Sequence, residues 1–227
     1  MQDIAIVFDV DGLMVDTEPL SRLAWNRVLK QYGYELHEEL YSRMIGYRFD
    51  VSVSMVLEAF DLPLSVEEIR KMRAAEHAKI LSLGVPVLPG LYDLVEALDQ
   101  RGLSWAVATS SPYTHAVEIL RQLELSDTCK AIAAGDEVPH GKPAPDIYLL
   151  AAKRLETAPQ LCLALEDSAP GTHAALAAGM LTIAVPNGDS NMVDFPDVYQ
   201  IFYSLQDVVQ ALDGLLIELD NRRRNLS

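Results

Sequence analysis

Four short clusters carry most of the chemistry this chain could do. Asp9 and Asp11 flank Val10 at the end of an apolar run, directly before Gly12. Two carboxylates two residues apart in extended chain point the same way. Like charges that close are costly unless a cation lies between them or one is protonated. Gly12 allows the chain to turn sharply after them. Thr109-Ser110-Ser111 supplies hydroxyls and, at the entry to a helix, free backbone amides, which together make an anion seat. Lys142, between Gly141 and Pro143, is the one cation of the stretch from His140 to Asp146, and Glu166-Asp167-Ser168 is a second acidic pair. Singly, each cluster has an ordinary reading as an Asx turn, a helix N-cap or a surface lysine. Jointly they suit one task. Hard carboxylate oxygens suit Mg²⁺, which keeps several waters and takes one or two carboxylates plus phosphate. Hydroxyls and a lysine then hold the remaining phosphate oxygens, and phosphoryl transfer asks for positioning and charge stabilisation above all. One aspartate can act as nucleophile, and a second carboxyl as acid and then base.

The surrounding elements place these clusters together. Ile4 to Phe8, Ser104 to Ala108, Leu161 to Leu165 and Leu181 to Val185 are short apolar runs with little polar alternation, the pattern of parallel strands covered on both faces, and Ala131 to Ala134 is a weaker candidate. Helical patterns separate them at Leu91 to Gln100, Thr114 to Leu123, Pro145 to Leu155 and Gly171 to Ala178, and Leu205 to Leu219 reads as a closing helix. Alternating strands and helices predict a doubly wound parallel α/β sheet. In such sheets the ligand crevice lies beyond the carboxyl ends of the strands, which is where all four clusters fall. The stretch from Pro19 to Val85 breaks the rhythm: it predicts only helices, at Ser21 to Gln31, Glu38 to Met44, Val51 to Phe60 and Ser65 to Leu81, the last opened by a Ser65/Glu68 capping box. An insertion this long after the first strand is expected to be functional, as a lid. The expected division is therefore a core of residues 1–18 and 86–227 with an all-helical cap over 19–85.

Composition narrows the partners. Of 227 residues, 50% are hydrophobic and 22% charged, enough for a packed core and too apolar for a disordered chain. Eighteen Lys and Arg against 33 Asp and Glu leave a net charge of −15, so nucleic acid is not an expected partner. The one basic cluster, Arg222-Arg223-Arg224, reads as a solvated tail. The apolar runs are too short to span a bilayer. Met1-Gln2-Asp3 leads straight into Ile4 without the basic flank of a signal peptide. Two cysteines, Cys129 and Cys162, make no disulfide framework, and a reduced cytoplasmic location is expected.

The runs Phe8-Asp9-Val10-Asp11-Gly12, Ala108-Thr109-Ser110-Ser111, Gly141-Lys142-Pro143-Ala144-Pro145-Asp146 and Glu166-Asp167-Ser168, in that order, resemble the motifs of haloacid dehalogenase (HAD) superfamily phosphatases with a helical cap. Asp16-Thr17-Glu18 and Ala174 to Gly179 add to the likeness. The similarity is to the branch holding β-phosphoglucomutase, the sugar-phosphate phosphatases and pseudouridine-5′-phosphatase. It implies a Rossmann-like core and a Mg²⁺-dependent enzyme acting on a small phosphorylated metabolite, a monomer by the same analogy. By the same resemblance Asp9 would carry the phosphoryl group as an aspartyl-phosphate. Asp11 would protonate the leaving oxygen and then activate water. Thr109 and Lys142 would hold phosphoryl oxygens, with a backbone amide from Ser110. Asp9, the Asp11 carbonyl and Asp167 would ligate the metal, with Glu166 acting through water. The second aspartate also argues against dehalogenase chemistry.

Tyr47 and Arg48, following Gly46, lie where related enzymes place a substrate-reading loop, and Arg48 is expected to pair with an anionic or hydroxylated leaving group. Mutases of the branch carry a histidine where this chain has Ser21, and their cap-loop pattern departs from Tyr47-Arg48-Phe49. Both departures favour a phosphatase over a phosphomutase. A signalling module phosphorylated on aspartate also combines acids, a hydroxyl and a lysine, but it is about half this length and lacks the helical insertion.

Overall fold

The computed structural model describes residues 4–45, 47–187 and 195–226, without the Leu226 side chain. Met1 to Asp3 and Gly46 lie outside the described residues. The first strand, β1 (Ala5–Phe8), is buried along its whole length, and its side chains alternate between two cores. Ile6 and Phe8 face one side with Leu91, Leu94 and Leu98 of α5 (Leu91–Gln100) and Leu205 to Leu219 of α9 (Leu205–Leu226). Ala5 and Val7 face the other, where small residues let α7 (Asp146–Arg154) and α8 (Ala169–Ala177) approach closely.

Around β1 lie β2 (Ser104–Thr109), β3 (Ala131–Ala134), β4 (Cys162–Glu166), β5 (Leu181–Ala184) and β6 (Gln200–Ile201), all parallel, in the order β3-β2-β1-β4-β5-β6. Helix α6 (Tyr113–Gln122) connects β2 to β3. The core is thus a Rossmann-like α/β sheet, as the alternation predicts. The chain builds outward from β1 in one direction with β2 and β3, and in the other with β4, β5 and β6. The switch point therefore lies beside β1. Register matters there: Phe8 pairs with both Val107 and Leu165, so the carboxyl ends of three strands finish at one level.

Between β1 and α5 the chain forms α1 (Glu18–Leu29), α2 (Glu38–Met44), α3 (Phe49–Ala59) and α4 (Val66–Leu81). They close on an apolar cluster of their own, with Trp25, Val53, Val56 and Ile69 at its centre. The Ser65/Glu68 capping box opens α4 as expected. Most boundaries shift by one or two residues from the sequence reading, and three differences are informative. Helix α1 starts at Glu18 rather than Ser21, because Pro19 falls in the first turn, where its missing N–H costs nothing. Strand β6 is a two-residue edge, too short to leave a period in the sequence. Helix α9 runs on to Leu226, and Arg222, Arg223 and Arg224 are not a loose tail: they pair with Glu218 and Asp220 on the helix itself. Cations at a helix C-terminus also complement its dipole.

Candidate active site

Because β1 and β4 end level, Asp9 and Glu166 meet across the switch point, and the loop before α7 delivers Lys142 between them. Lys142 Nζ lies 2.5 Å from Asp9 Oδ1 and also donates to Glu166 Oε1. All three are almost sealed from solvent, Lys142 at 4%, Asp9 at 5% and Glu166 at 0% exposure. The Glu166 carboxylate accepts three further bonds, from the Tyr148 hydroxyl at 2.7 Å and from the Ser168 hydroxyl at 3.0 Å and backbone N–H at 3.2 Å. Asp167 stands beside them, and oxygens of Asp9, Glu166 and Asp167 lie within 4.8 Å of one another. Two glycines make this crowding possible. A Cβ on Gly12, whose φ is +89°, would meet Asp167 Oδ2 at 2.1 Å, and one on Gly171 would meet Glu166 Oε1 at 1.8 Å.

The electrostatics of this cluster call for another positive charge. Burial raises the Asp9 carboxyl well above the usual range, and Glu166 and Asp11 add to the rise while Lys142 opposes it. Burial likewise raises Asp167, reinforced by Asp9 and Glu166. Lys142 is raised in turn, since the two carboxylates outweigh its desolvation. One lysine cannot balance three buried carboxylates, and an all-oxygen donor set of this kind fits a hard divalent cation.

Asp11 points elsewhere. Its Oδ1 accepts from Thr17 Oγ1 at 2.7 Å and lies 2.8 Å from His115 Nε2, while its Oδ2 accepts from Ser111 Oγ at 2.8 Å and Thr109 Oγ1 at 3.3 Å. Burial alone would raise this carboxyl, but His115 and the hydroxyls prevail and hold it below the usual carboxylate range. The side chain of Asp11 is therefore not part of the three-acid cluster, and only its backbone carbonyl remains for a metal. Ser110 lines the same cavity, and its close approach to β3 depends on Gly135, where a Cβ would meet the Ser110 carbonyl at 2.2 Å.

A cavity of about 550 Å³ opens over these groups, roofed by α1, α4 and the start of α3. Asp9, Asp11, Thr109, Ser110 and Lys142 form its floor, while Trp25, Tyr41, Phe49, Arg73 and His77 form its roof. Tyr47 lines it as well. Arg48 does not: its guanidinium donates to the carbonyls of Val138 at 3.2 Å and Pro139 at 3.4 Å, pairs with Asp50, and packs on Gly141. The expected pairing of Arg48 with a leaving group is not what this arrangement provides. The side chain instead ties the helical insertion to the loop that carries Lys142. His140 is exposed and bonded to Asp146, outside the cavity.

Sequence reasoning missed four residues here. His115 was findable, since it lies in the first turn of the helix that follows Ser111, at the same strand end. Tyr148, Arg73 and His77 left no signal: a tyrosine in an apolar stripe reads as core, and an arginine and a histidine on a charged helix read as surface.

A doubly wound sheet with an acid–lysine cluster at its switch point, roofed by helices, makes this chain a Rossmann-like α/β enzyme. Residues 6–185 match the family model described as haloacid dehalogenase-like hydrolase, and the chain belongs to that family. It is 35% identical to the phosphorylated carbohydrates phosphatase of Thermotoga maritima, over 78% of this chain and 82% of that protein. It is 33% identical to hexitol phosphatase B of Escherichia coli, over 82% of this chain and 84% of that protein. The crystal structure of CbbY from Rhodobacter sphaeroides in complex with phosphate superposes with a TM-score of 0.83 at 28% identity, covering 92% of this chain and 96% of that one. With these relatives it is a phosphoric monoester hydrolase. No helix among the described residues is long and apolar enough to cross a membrane.

Proposed function

We propose that this enzyme is a Mg²⁺-dependent phosphatase of a small phosphorylated metabolite, a sugar phosphate or nucleotide-like phosphate, working through an aspartyl-phosphate on Asp9. The observation that carries this reading is the shared floor of one cavity, where Asp9 meets Lys142 and Asp11 stands ready with its own set of donors. Asp9, Asp167 and Glu166, with the Asp11 carbonyl, would hold the metal. When bound, it supplies positive charge to the phosphoryl oxygens and keeps the acids ionised.

Asp9 attacks phosphorus, and the bond to the leaving oxygen breaks as that oxygen takes a proton. Asp11 would relay it from His115, whose Nε2 lies 2.8 Å from its Oδ1 and whose pKa Asp11 helps to raise. A water then attacks the phosphorus of the aspartyl-phosphate, Asp11 accepts the water's proton, and inorganic phosphate leaves. Thr109, Ser110 and Lys142 hold the phosphoryl oxygens through both steps. Helices α1 to α4, residues 19–85, act as a cap that excludes bulk water and shapes the leaving-group pocket. The likeness to phosphatases of phosphorylated carbohydrates and hexitols supports a polyol or sugar as leaving group. The Ser21 hydroxyl is taken up by Arg73, so the position that carries histidine in mutases supplies no acid–base group here, which favours hydrolysis. Unpaired Cys129 and Cys162 suit a reducing cytoplasm.

The test is phosphate release from a panel of sugar phosphates, nucleoside monophosphates and pseudouridine 5′-phosphate, with β-glucose 1-phosphate isomerisation alongside. Release should stop with a chelator and return with Mg²⁺. In Asp167→Ala the Mg²⁺ needed should rise by about 10–100-fold. Isomerisation without phosphate release would overturn the reading.

A further inference from the structure

Arg73 is a buried cation with no ion-pair partner among the described residues. It is 7% exposed, on the face of α4 that roofs the cavity. Its one hydrogen bond among the described residues runs from Nη2 to Ser21 Oγ at 2.6 Å, and its buried Nε has none. No carboxylate lies within ion-pair distance of it among the described residues; Asp11 and Glu18 act on it only from farther off, and burial outweighs them, lowering its pKa to about 10. Its guanidinium rests instead against the rings of Trp25 and Phe49, at 5.6 and 5.4 Å from their centroids, the two rings themselves packing 5.7 Å apart. One turn along the same face, His77 Nε2 is also buried without a hydrogen-bond partner. Aromatic faces compensate a buried guanidinium only in part, and burying a charge without a counter-charge is costly. A planar fork with free donors, braced against two rings, is pre-organised for an anion.

The neighbours of this fork say on which side of the acid–base residue it lies. Ser21, which accepts from Arg73, lies one helical turn along α1 from Thr17, which bonds Asp11. His77 stacks on His115, with centroids 5.5 Å apart, and His115 in turn meets Asp11. Both routes set Arg73 beyond Asp11, on the roof side of the same cavity. We infer that Arg73, with His77 beside it, binds a second anionic group on the leaving-group side of the substrate. The preferred substrates are then phosphomonoesters that also carry a carboxylate or a second phosphate on a short carbon chain. This rests on the phosphatase reading of the floor and deepens it by naming the substrate class.

Matched pairs test it. Glucitol 6-phosphate and 6-phosphogluconate differ in a terminal hydroxymethyl against a carboxylate. Fructose 6-phosphate and fructose 1,6-bisphosphate differ in a second phosphate. The kcat/KM ratio within each pair should favour the more anionic member by about tenfold or more in at least one pair. Which pair responds tells carboxylate from phosphate. In Arg73→Gln that ratio should collapse toward one, whatever the absolute rates. Should this variant not fold, Arg73→Lys carries the test: it keeps the charge but loses the fork, and the ratio should drop several-fold. A ratio near one in both pairs for the unaltered enzyme, or a preference that survives Arg73→Gln, overturns the inference. Calorimetric binding of the same pairs to Asp9→Asn separates this from the phosphatase reading. Tighter binding of the anionic member that Arg73→Gln removes upholds the subsite even if no ester is hydrolysed. Equal binding overturns it even if hydrolysis is fast.

Discussion

The floor and the roof of the cavity bury charge in opposite ways. On the floor, Lys142 bonds both Asp9 and Glu166, Glu166 is also held by Tyr148 and Ser168, and Asp11 is ringed by three hydroxyls and a histidine. On the roof, Arg73 and His77 leave nitrogens without partners inside a ring of aromatic side chains. The floor sits on strand ends locked into register by a sheet with buried faces, so it can hold a dense network in one geometry. The roof is a set of helices with a separate apolar core, joined to the floor by few polar ties, Arg48 among them. A network complete within the chain suits a reaction common to many substrates. One left open suits recognition of the part that varies.

Four substitutions probe that contrast, in falling order of effect. Asp9→Asn on the floor should lower phosphate release by at least about 10⁴-fold, while circular dichroism and thermal melting report a folded protein. Near-normal turnover would remove Asp9 from the nucleophile's place. Lys142→Met strands two buried carboxylates, and urea denaturation should show a loss of about 3–5 kcal/mol along with most of the activity. A loss under 1 kcal/mol would mean that the floor is not the closed network described.

His77→Gln on the roof should act through pH. Burial, with Arg73 and His115 adding to it, pulls the His77 pKa down to about 3 from an ordinary 6.5. Between those values the unfolded chain binds the proton and the folded one does not, so stability falls as pH drops below 6.5. The unaltered protein should therefore lose roughly 2–3 kcal/mol relative to His77→Gln between about pH 6.5 and 4. A stability difference flat across that range would place His77 in water. Arg48→Ala, at the tie between the two regions, should lower kcat/KM about two- to tenfold for all substrates alike. A changed substrate ranking would return Arg48 to direct contact with the leaving group.

How much of this was legible follows from the range of each interaction. The clusters around Asp9, Thr109, Lys142 and Glu166 were readable because each sits at the end of an apolar run, and strand ends in a parallel sheet converge by rule. Helices α2 and α4 were readable from their own periodicity and from the Ser65 cap. Strand β6 was not, because two edge residues have no period, and the end of α9 was not, because its ion pairs offset a polar composition.

The sequence by itself determined the order of strands and helices, the place of the insertion and the identity of the acids and the lysine, since all of these depend on local pattern and on spacing along the chain. Only the tertiary structure decided which side chains share the cavity. It turned Asp11 toward His115, drew Tyr148 onto Glu166, sent Arg48 out to the Val138 and Pro139 carbonyls and set Arg73 against two rings over the site. Those outcomes depend on how helices pack against the sheet and how the insertion packs over it, and the partners lie as much as 104 residues apart in the chain. Local pattern carries no record of such pairings.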